Sequence, residues 1–269
     1  MANPGTRGVT GHRPRKRFGQ NFLHDESVIQ RIIDVINPDP NDHIVEVGPG
    51  RGALTRHLLH QSGRLDTIEL DRDLAAYLAS TLQQEKEFGI HQSDILKFDI
   101  STLATAPESL RIVGNLPYNI STPVIFYLLQ NHQLIKDMIF MLQLEVVQRL
   151  AASPGDKNYG RLGLMTQYYC EVEPLFNVPS AAFSPKPKVS SAIVRLTPHS
   201  TMPVVAQDVE CLQNVIRTAF NQRRKTLKNC LKPLIDESQL SELGLDITQR
   251  PEHLTLSDYV TISDAISVQ

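Results

Sequence analysis

The sequence predicts an α/β protein: a mostly parallel sheet with helices on both faces, followed by a small all-helical C-terminal domain. Three observations carry this. Strand-like apolar stretches alternate with helical stretches through the first two thirds of the chain, a pattern that requires a parallel sheet covered on both sides. A glycine-rich turn in Ile44 to Thr55, IVEVGPGRGALT, joins one such strand to the following helix. Beyond Thr201 the strand pattern stops and the remainder reads as helical.

The first helix follows the spacing Val28, Ile29, Ile32, Ile33, Ile36; Asp25 or Ser27 can cap it, and Asn37-Pro38 ends it. A strand at Ile44 to Val47 leads through the glycine turn into a helix at Ala53 to Gln61. The alternation continues with strand Leu65 to Leu70, helix Asp73 to Gln84, a strand near Ile90 and a strand at Arg111 to Gly114. Helix Thr122 to Gln130, strand Met138 to Leu142 and helix Glu145 to Ala152 follow, with a last strand at Ser190 to Leu196. Residues 1–17 are expected to form a basic arm, 18–198 the α/β domain and 199–269 the small helical domain.

With 269 residues, 41% hydrophobic and 21% charged, the composition is that of a soluble globular protein. No apolar run approaches the roughly 18 residues of a spanning helix, so no membrane association is expected. Cys170, Cys211 and Cys230 form no C-x-x-C pair and are odd in number, which points to a reducing compartment, the cytoplasm. His57 and His60 share a helix face without acidic or thiol company, so no metal site is expected there. The net charge of −2 conceals an uneven distribution. Arg7, Arg13, Arg15, Lys16 and Arg17 precede the first acid, Asp25. This is either an arm that touches phosphates or a soluble tail; it lacks the apolar core of a secretory signal and the serines of a transit peptide.

The chemistry gathers at strand ends. Gly48, Glu69, Asp94 and Asn115 each follow or close a predicted strand, at separations of 21, 25 and 21 residues. In an open parallel sheet, ligands bind beyond the carboxyl ends of the strands, so one crevice can collect all four. Gly48, Gly50 and Gly52 permit positive φ and close approach of a ligand to the backbone. Gly48, Gly50 and Ala53 also satisfy a dinucleotide-binding fingerprint, so the turn alone does not name the ligand. The two oxygens of Glu69 suit the two hydroxyls of a ribose. Asn115-Leu116-Pro117-Tyr118 is the more specific element. Proline holds Leu116 extended, so an asparagine oxygen and a main-chain carbonyl can both accept from one exocyclic amine, while Tyr118 offers a ring for stacking a base. Drawing both N–H groups out of the ring plane frees the nitrogen lone pair to attack a methyl group.

Taken together, RFGQNFL, EVGPGRGALT, IELDRDL, the aspartate of QSDIL, IVGNLPYNIST, Gln143 to Arg149, PGDKNYGRLG and FSPKPKVSSAIVRL resemble the adenine-N6 dimethyltransferases of small-subunit ribosomal RNA. The resemblance covers most of the chain and implies a Rossmann-like methyltransferase fold and S-adenosylmethionine as cofactor. It implies that Asn21, Leu23, Gly48, Glu69, Asp94 and Asn115 line the cofactor site, with Glu69 on the ribose and Asp94 on the adenine amine. Asn115, Leu116, Pro117 and Tyr118 would form the catalytic loop, and Phe183 the second wall of the base pocket. The chain has no tryptophan, so a stacking wall must be Tyr, Phe or His. The product implied is N6,N6-dimethyladenosine at two adjacent adenosines in a hairpin loop near the 3′ end of 16S rRNA, in the course of small-subunit assembly. Glu46, two residues before Gly48, would repel a pyrophosphate and is tolerated by a sulfonium. The alternatives are a macrolide-resistance-type large-subunit methyltransferase, a non-catalytic assembly factor, and a nicotinamide dehydrogenase in which N-x-P-Y has no task.

The partner is expected to be the small ribosomal subunit, engaged by a monomer. Lys186 and Lys188 flank the base pocket in a proline-rich loop. Between Cys211 and Ile235 there are six basic residues, Arg217, Arg223, Arg224, Lys225, Lys228 and Lys232, and no acid. A solvated face normally mixes signs, so these are expected to face RNA.

Overall fold

The computed structural model describes residues 21–82, 87–222 and 224–267. The basic arm, residues 17–20 of RFGQNFL, Gln84 and Arg223 lie outside them. The chain opens with a short strand, β1 (Phe22–Leu23), and helix α1 (Glu26–Ile36). Asp25 caps α1 by accepting from the backbone N–H groups of Ser27 and Val28, and Asn37 ends it in the left-handed conformation. Then come β2 (His43–Val47), α2 (Thr55–Gln61), β3 (Arg64–Glu69), α3 (Arg72–Leu82), β4 (Phe88–Gln92) and β5 (Leu110–Asn115). They are followed by α4 (Ser121–Gln130), β6 (Ile135–Gln143), α5 (Leu144–Leu150), α6 (Arg161–Tyr169), β7 (Cys170–Val178), β8 (Phe183–Ser184) and β9 (Ser191–Pro198). Four helices complete the chain: α7 (Val209–Phe220), α8 (Leu227–Leu231), α9 (Glu237–Glu242) and α10 (Leu256–Ser267).

Seven strands form one sheet in the order β4-β3-β2-β5-β6-β9-β7. The first five run parallel, and β9 runs antiparallel to both of its neighbours, β6 and β7. β2 has β3 on one side and β5 on the other, so the chain leaves it in opposite directions and a crevice opens beyond the carboxyl ends of β2 and β5. The two strands pass closely: a Cβ on Gly114 would stand 2.5 Å from the Val47 carbonyl oxygen.

Alternate strand residues enter opposite apolar clusters, as a sheet covered on both faces demands. Val45, Val47 and Ile112 pack with α4 and α5, whereas Ile44, Leu65 and Val113 pack with α1 and Leu58 of α2. At the other end of the sheet Arg111 joins Asp42 and Asp137 and donates to the Ile36 carbonyl, tying α1 to β5 and β6.

Four elements, β1, α6, β7 and β8, are absent from the sequence pattern, and α2 starts at Thr55 rather than Ala53. The expected boundary between 198 and 199 does not divide the core. Tyr159, Leu164, Met165 and Tyr168 form one cluster with Leu212, Val215, Ile216, Leu227 and Tyr259. Hydrogen bonds cross with it, among them the Gly155 N–H donating to the Glu252 carbonyl at 2.7 Å, the Tyr159 hydroxyl to the Leu254 carbonyl at 2.9 Å, and the Ala206 N–H to the Tyr168 hydroxyl at 3.3 Å. The C-terminal helices thus share one apolar core with α6, on which α7 packs directly.

Candidate active site

The crevice beyond β2 and β5 is a cavity whose wall includes Asn21, Leu23, Gly48, Glu69, Asp94 and Asn115, together with Leu116, Pro117 and Tyr118. It therefore gathers all six residues expected at the cofactor and four of the five expected at the base. Topology does this: β2, β3, β4 and β5 are parallel neighbours, so their following loops emerge on one edge.

Gly48, Gly50 and Gly52 have φ of +70°, +59° and +82°, conformations that a side chain resists. Space is tightest at Gly52, where a Cβ would stand 3.0 Å from Leu78 Cδ2. The turn's amides are not all left to a ligand. The Gly50 N–H donates to Glu69 Oε2 at 3.1 Å, and the Asp71 N–H donates to Oε1 at 2.8 Å. Each carboxylate oxygen keeps further acceptor capacity, so Glu69 is held in place with both oxygens still able to take hydroxyls. Burial raises its pKa against those hydrogen bonds. Glu46, 2% exposed, also lines the cavity; burial pushes its carboxyl up to about 7, although Thr55 Oγ1 donates to it at 2.6 Å.

On the opposite wall, Asn115 ends β5 and its Nδ2 donates to the Asn21 carbonyl at 3.3 Å. That bond orients the amide with Oδ1 as the acceptor. Leu116 is fully buried and its N–H donates to the Met141 carbonyl at 3.3 Å, which fixes the loop onto β6 before Pro117. Asp94 Oδ1 accepts from the Leu96 N–H at 3.1 Å, a turn that holds the carboxylate at the cavity edge.

Phe183 is the exception. Leu23 and Phe183 pair across β1 and β8, and the phenylalanine is 3% exposed, packed in the cluster that contains Leu23, Val178 and Ala182. It does not line the cavity; the pairing that brings β8 near the site also turns this ring into the core. Lys186 and Lys188 are exposed in the loop after β8. Arg217, Arg224, Lys225 and Lys232 are exposed on and after α7, whereas Lys228 is ion-paired with Glu237 at 2.9 Å. The acid-free run thus acquires an acid once α9 folds back.

Several wall residues escaped the sequence reading, Phe22, Arg51 and Leu70 among them. Phe22 and Arg51 face each other, the guanidinium 4.4 Å from the ring centroid, although both lie within RFGQNFL and EVGPGRGALT. Leu70 is 46% exposed and lines the cavity. An apolar residue directly after a strand-end acid, where a polar turn would be usual, was its available signal.

A parallel sheet whose switch point faces a glycine turn, a ribose-competent carboxylate and an oriented asparagine defines a class: α/β enzymes that hold a nucleoside cofactor beside a base-binding loop. Apolar walls from Ile68, Leu70, Leu74 and Ile95 suit a purine between them, so the cavity fits such a group. A family model described as ribosomal RNA adenine dimethylase matches residues 11–267, and the chain belongs to that family. It is 57% identical over 257 residues to the ribosomal RNA small subunit methyltransferase A of Marinobacter nauticus, covering 96% of this chain and 93% of that one. With the protein of the same name from Saccharophagus degradans it shares 54% over 266 residues, 99% of both chains. Among solved structures, a dimethyladenosine transferase from Plasmodium falciparum has the same fold, with a TM-score of 0.75 at 24% identity over 90% of this chain and 95% of that one. The 23S rRNA methyltransferase ErmE gives 0.70 at 25% identity, over 92% of this chain and 100% of that one.

Proposed function

We propose that this chain transfers methyl groups from S-adenosylmethionine to N6 of two adjacent adenosines in a hairpin loop near the 3′ end of 16S rRNA, giving N6,N6-dimethyladenosine as the small subunit is assembled. The observation that carries the reading is the Asn115 amide, oriented by the Asn21 carbonyl on the wall of the cavity that Glu69 and Asp94 also line. The cofactor supplies a methyl already activated on a sulfonium sulfur. Glu69 takes the ribose hydroxyls and Asp94 the adenine amine, while Asn21, Leu23 and Gly48 shape the rest of the cofactor's seat. Asn115 Oδ1 and the Leu116 carbonyl accept from the target amine and turn its lone pair toward the methyl; Pro117 keeps that carbonyl in direction, and Tyr118 stacks on the base. The protein's main task is then alignment and exclusion of water. Phe183 would join as second wall only if β8 shifts. No helix among the described residues is long and apolar enough to cross a membrane.

In this reading the 18–198 part carries the chemistry and 199–269 grips RNA through Arg217, Arg223, Arg224, Lys225 and, on release from Glu237, Lys228, with Lys186 and Lys188 in the exposed loop after β8, as a monomer in the cytoplasm. The test is to supply purified small and large ribosomal subunits with S-adenosylmethionine and map the modified adenines. Dimethylation confined to the small subunit is expected; modification of the large one would overturn the assignment. Asn115→Ala should lower turnover by about two to three decades with cofactor affinity changed far less. Near-normal turnover would remove Asn115 from the mechanism.

A further inference from the structure

Tyr118 reaches the cavity from a loop, and a loop residue needs a second anchor if its ring is to stand still. The anchor is visible at the far end of the ring: the Tyr118 hydroxyl and Ser191 Oγ are 2.9 Å apart. Ser191 is fully buried and is the first residue of β9, paired with Gln143 of β6 on one side and Val178 of β7 on the other. A strand residue held from both sides cannot follow the loop, so the loop must follow it. The preceding residue is tied as well, the Leu144 N–H donating to the Ser190 carbonyl at 3.0 Å. A phenol O–H lies in the plane of its ring, so a partner in one fixed direction selects one ring plane as well as one ring position.

We infer that Ser191 is a positioning residue for base recognition: its hydroxyl sets the plane of the Tyr118 ring against which the target adenine stacks. This rests on the stacking role proposed for Tyr118. Ser191 also follows directly on the loop that carries the exposed Lys186 and Lys188, so that loop joins the sheet at the residue that holds the ring. A fixed ring contributes where alignment matters most, in the step that brings amine, methyl and sulfur into line, so the effect belongs in kcat.

The test is a double-mutant cycle on small subunits with S-adenosylmethionine titration as the folding control. Ser191→Ala and Tyr118→Phe should each lower kcat by about three- to ten-fold, the worth of one neutral hydrogen bond, with cofactor affinity unchanged. The double variant should be no worse than either single one, because both remove the same hydrogen bond. Ser191→Thr, which restores a hydroxyl on a β-branched residue suited to a strand, should recover most of the loss. Parental kcat in Ser191→Ala, additive losses, or a loss matched by weaker cofactor binding would overturn the inference. Tyr118→Ala tells which reading failed. If Tyr118→Ala is inactive while Ser191→Ala is parental, only the positioning role falls; if Tyr118→Ala is also parental, the stacking role falls and the positioning role with it.

Discussion

Glu46 shows how a single buried group can face two ways. Its carboxyl is raised from 4.5 to about 7 by burial, with the charge of Glu69 adding to the shift. The folded state therefore holds an extra proton between those values, so the stability this group contributes is complete below the lower one and lost as pH climbs to the upper. A cationic cofactor reverses the preference, because an ionised Glu46 on the cavity wall attracts a sulfonium. Binding of S-adenosylmethionine at about pH 6.5 should release a proton and tighten toward pH 8, the charge pulling a carboxyl of pKa near 7 back into its ionised form. Calorimetry in buffers of different ionisation heat measures that proton. Glu69 is raised as well, so the Glu46→Gln variant assigns the proton: it should bind with a flatter pH profile. An undiminished proton release in that variant would move the effect to Glu69.

At the scale of elements, α6 packs on both α5 and α7, and its Gly163 shows how closely it meets the first of them. An exposed helix interior gains roughly 1 kcal/mol when Gly becomes Ala. Here a Cβ would stand 2.4 Å from the Arg149 carbonyl oxygen of α5, a backbone atom that cannot swing aside. Overpacking of that kind costs about 1–3 kcal/mol. Gly163→Ala should therefore destabilise despite its better propensity, lowering the denaturant midpoint; an unchanged or higher midpoint would mean that α5 and α6 separate freely. The same helix explains where sequence reading stopped. α1, β2, β3 and β5 were legible because Ile29, Ile32, Ile33 and Ile36, or a short apolar run, repeat at the period of the element. α6 is buried on nearly every side, Leu162 to Thr166 without a break, so no polar stripe reveals its period. β7 is an edge strand with Glu171, Glu173 and Pro174, residues a central strand would exclude, and it reads as a loop. At the site, the strand-end positions Gly48, Glu69, Asp94 and Asn115 could be counted out along the chain. The hydrogen bond between Ser191 and Tyr118 spans 73 residues and ties a loop to a distant sheet strand, which no local pattern encodes.

At the scale of the whole molecule, a net charge of −2 has to be reconciled with a polyanionic partner. The sign of the total matters less than where the cations stand, because phosphate contacts act within about a Debye length, roughly 8 Å at physiological salt. Arg217, Arg224, Lys225 and Lys232 are exposed around the α7–α8 turn, and the α8 lysine next to them, Lys228, already spends its charge on Glu237. Exposed pairs of this kind are worth little to stability, so the pairing adds little to the fold and, on the RNA-facing role proposed for this turn, would subtract from its binding. Replacing Arg224, Lys225 and Lys232 by glutamate should weaken binding to the small subunit and flatten its log–log salt dependence by about 0.7 to 0.9 for each phosphate that is no longer neutralised. Lys228→Glu alone should cost less than any of the three, and Glu237→Gln, which frees Lys228, should strengthen binding and steepen the slope. S-adenosylmethionine affinity should stay at the parental value throughout, since the cavity at the sheet edge shares none of these residues. A triple variant that binds with parental affinity and slope would make this turn a solvated face and shift the RNA interface to Lys186 and Lys188, beside the loop that Ser191 anchors.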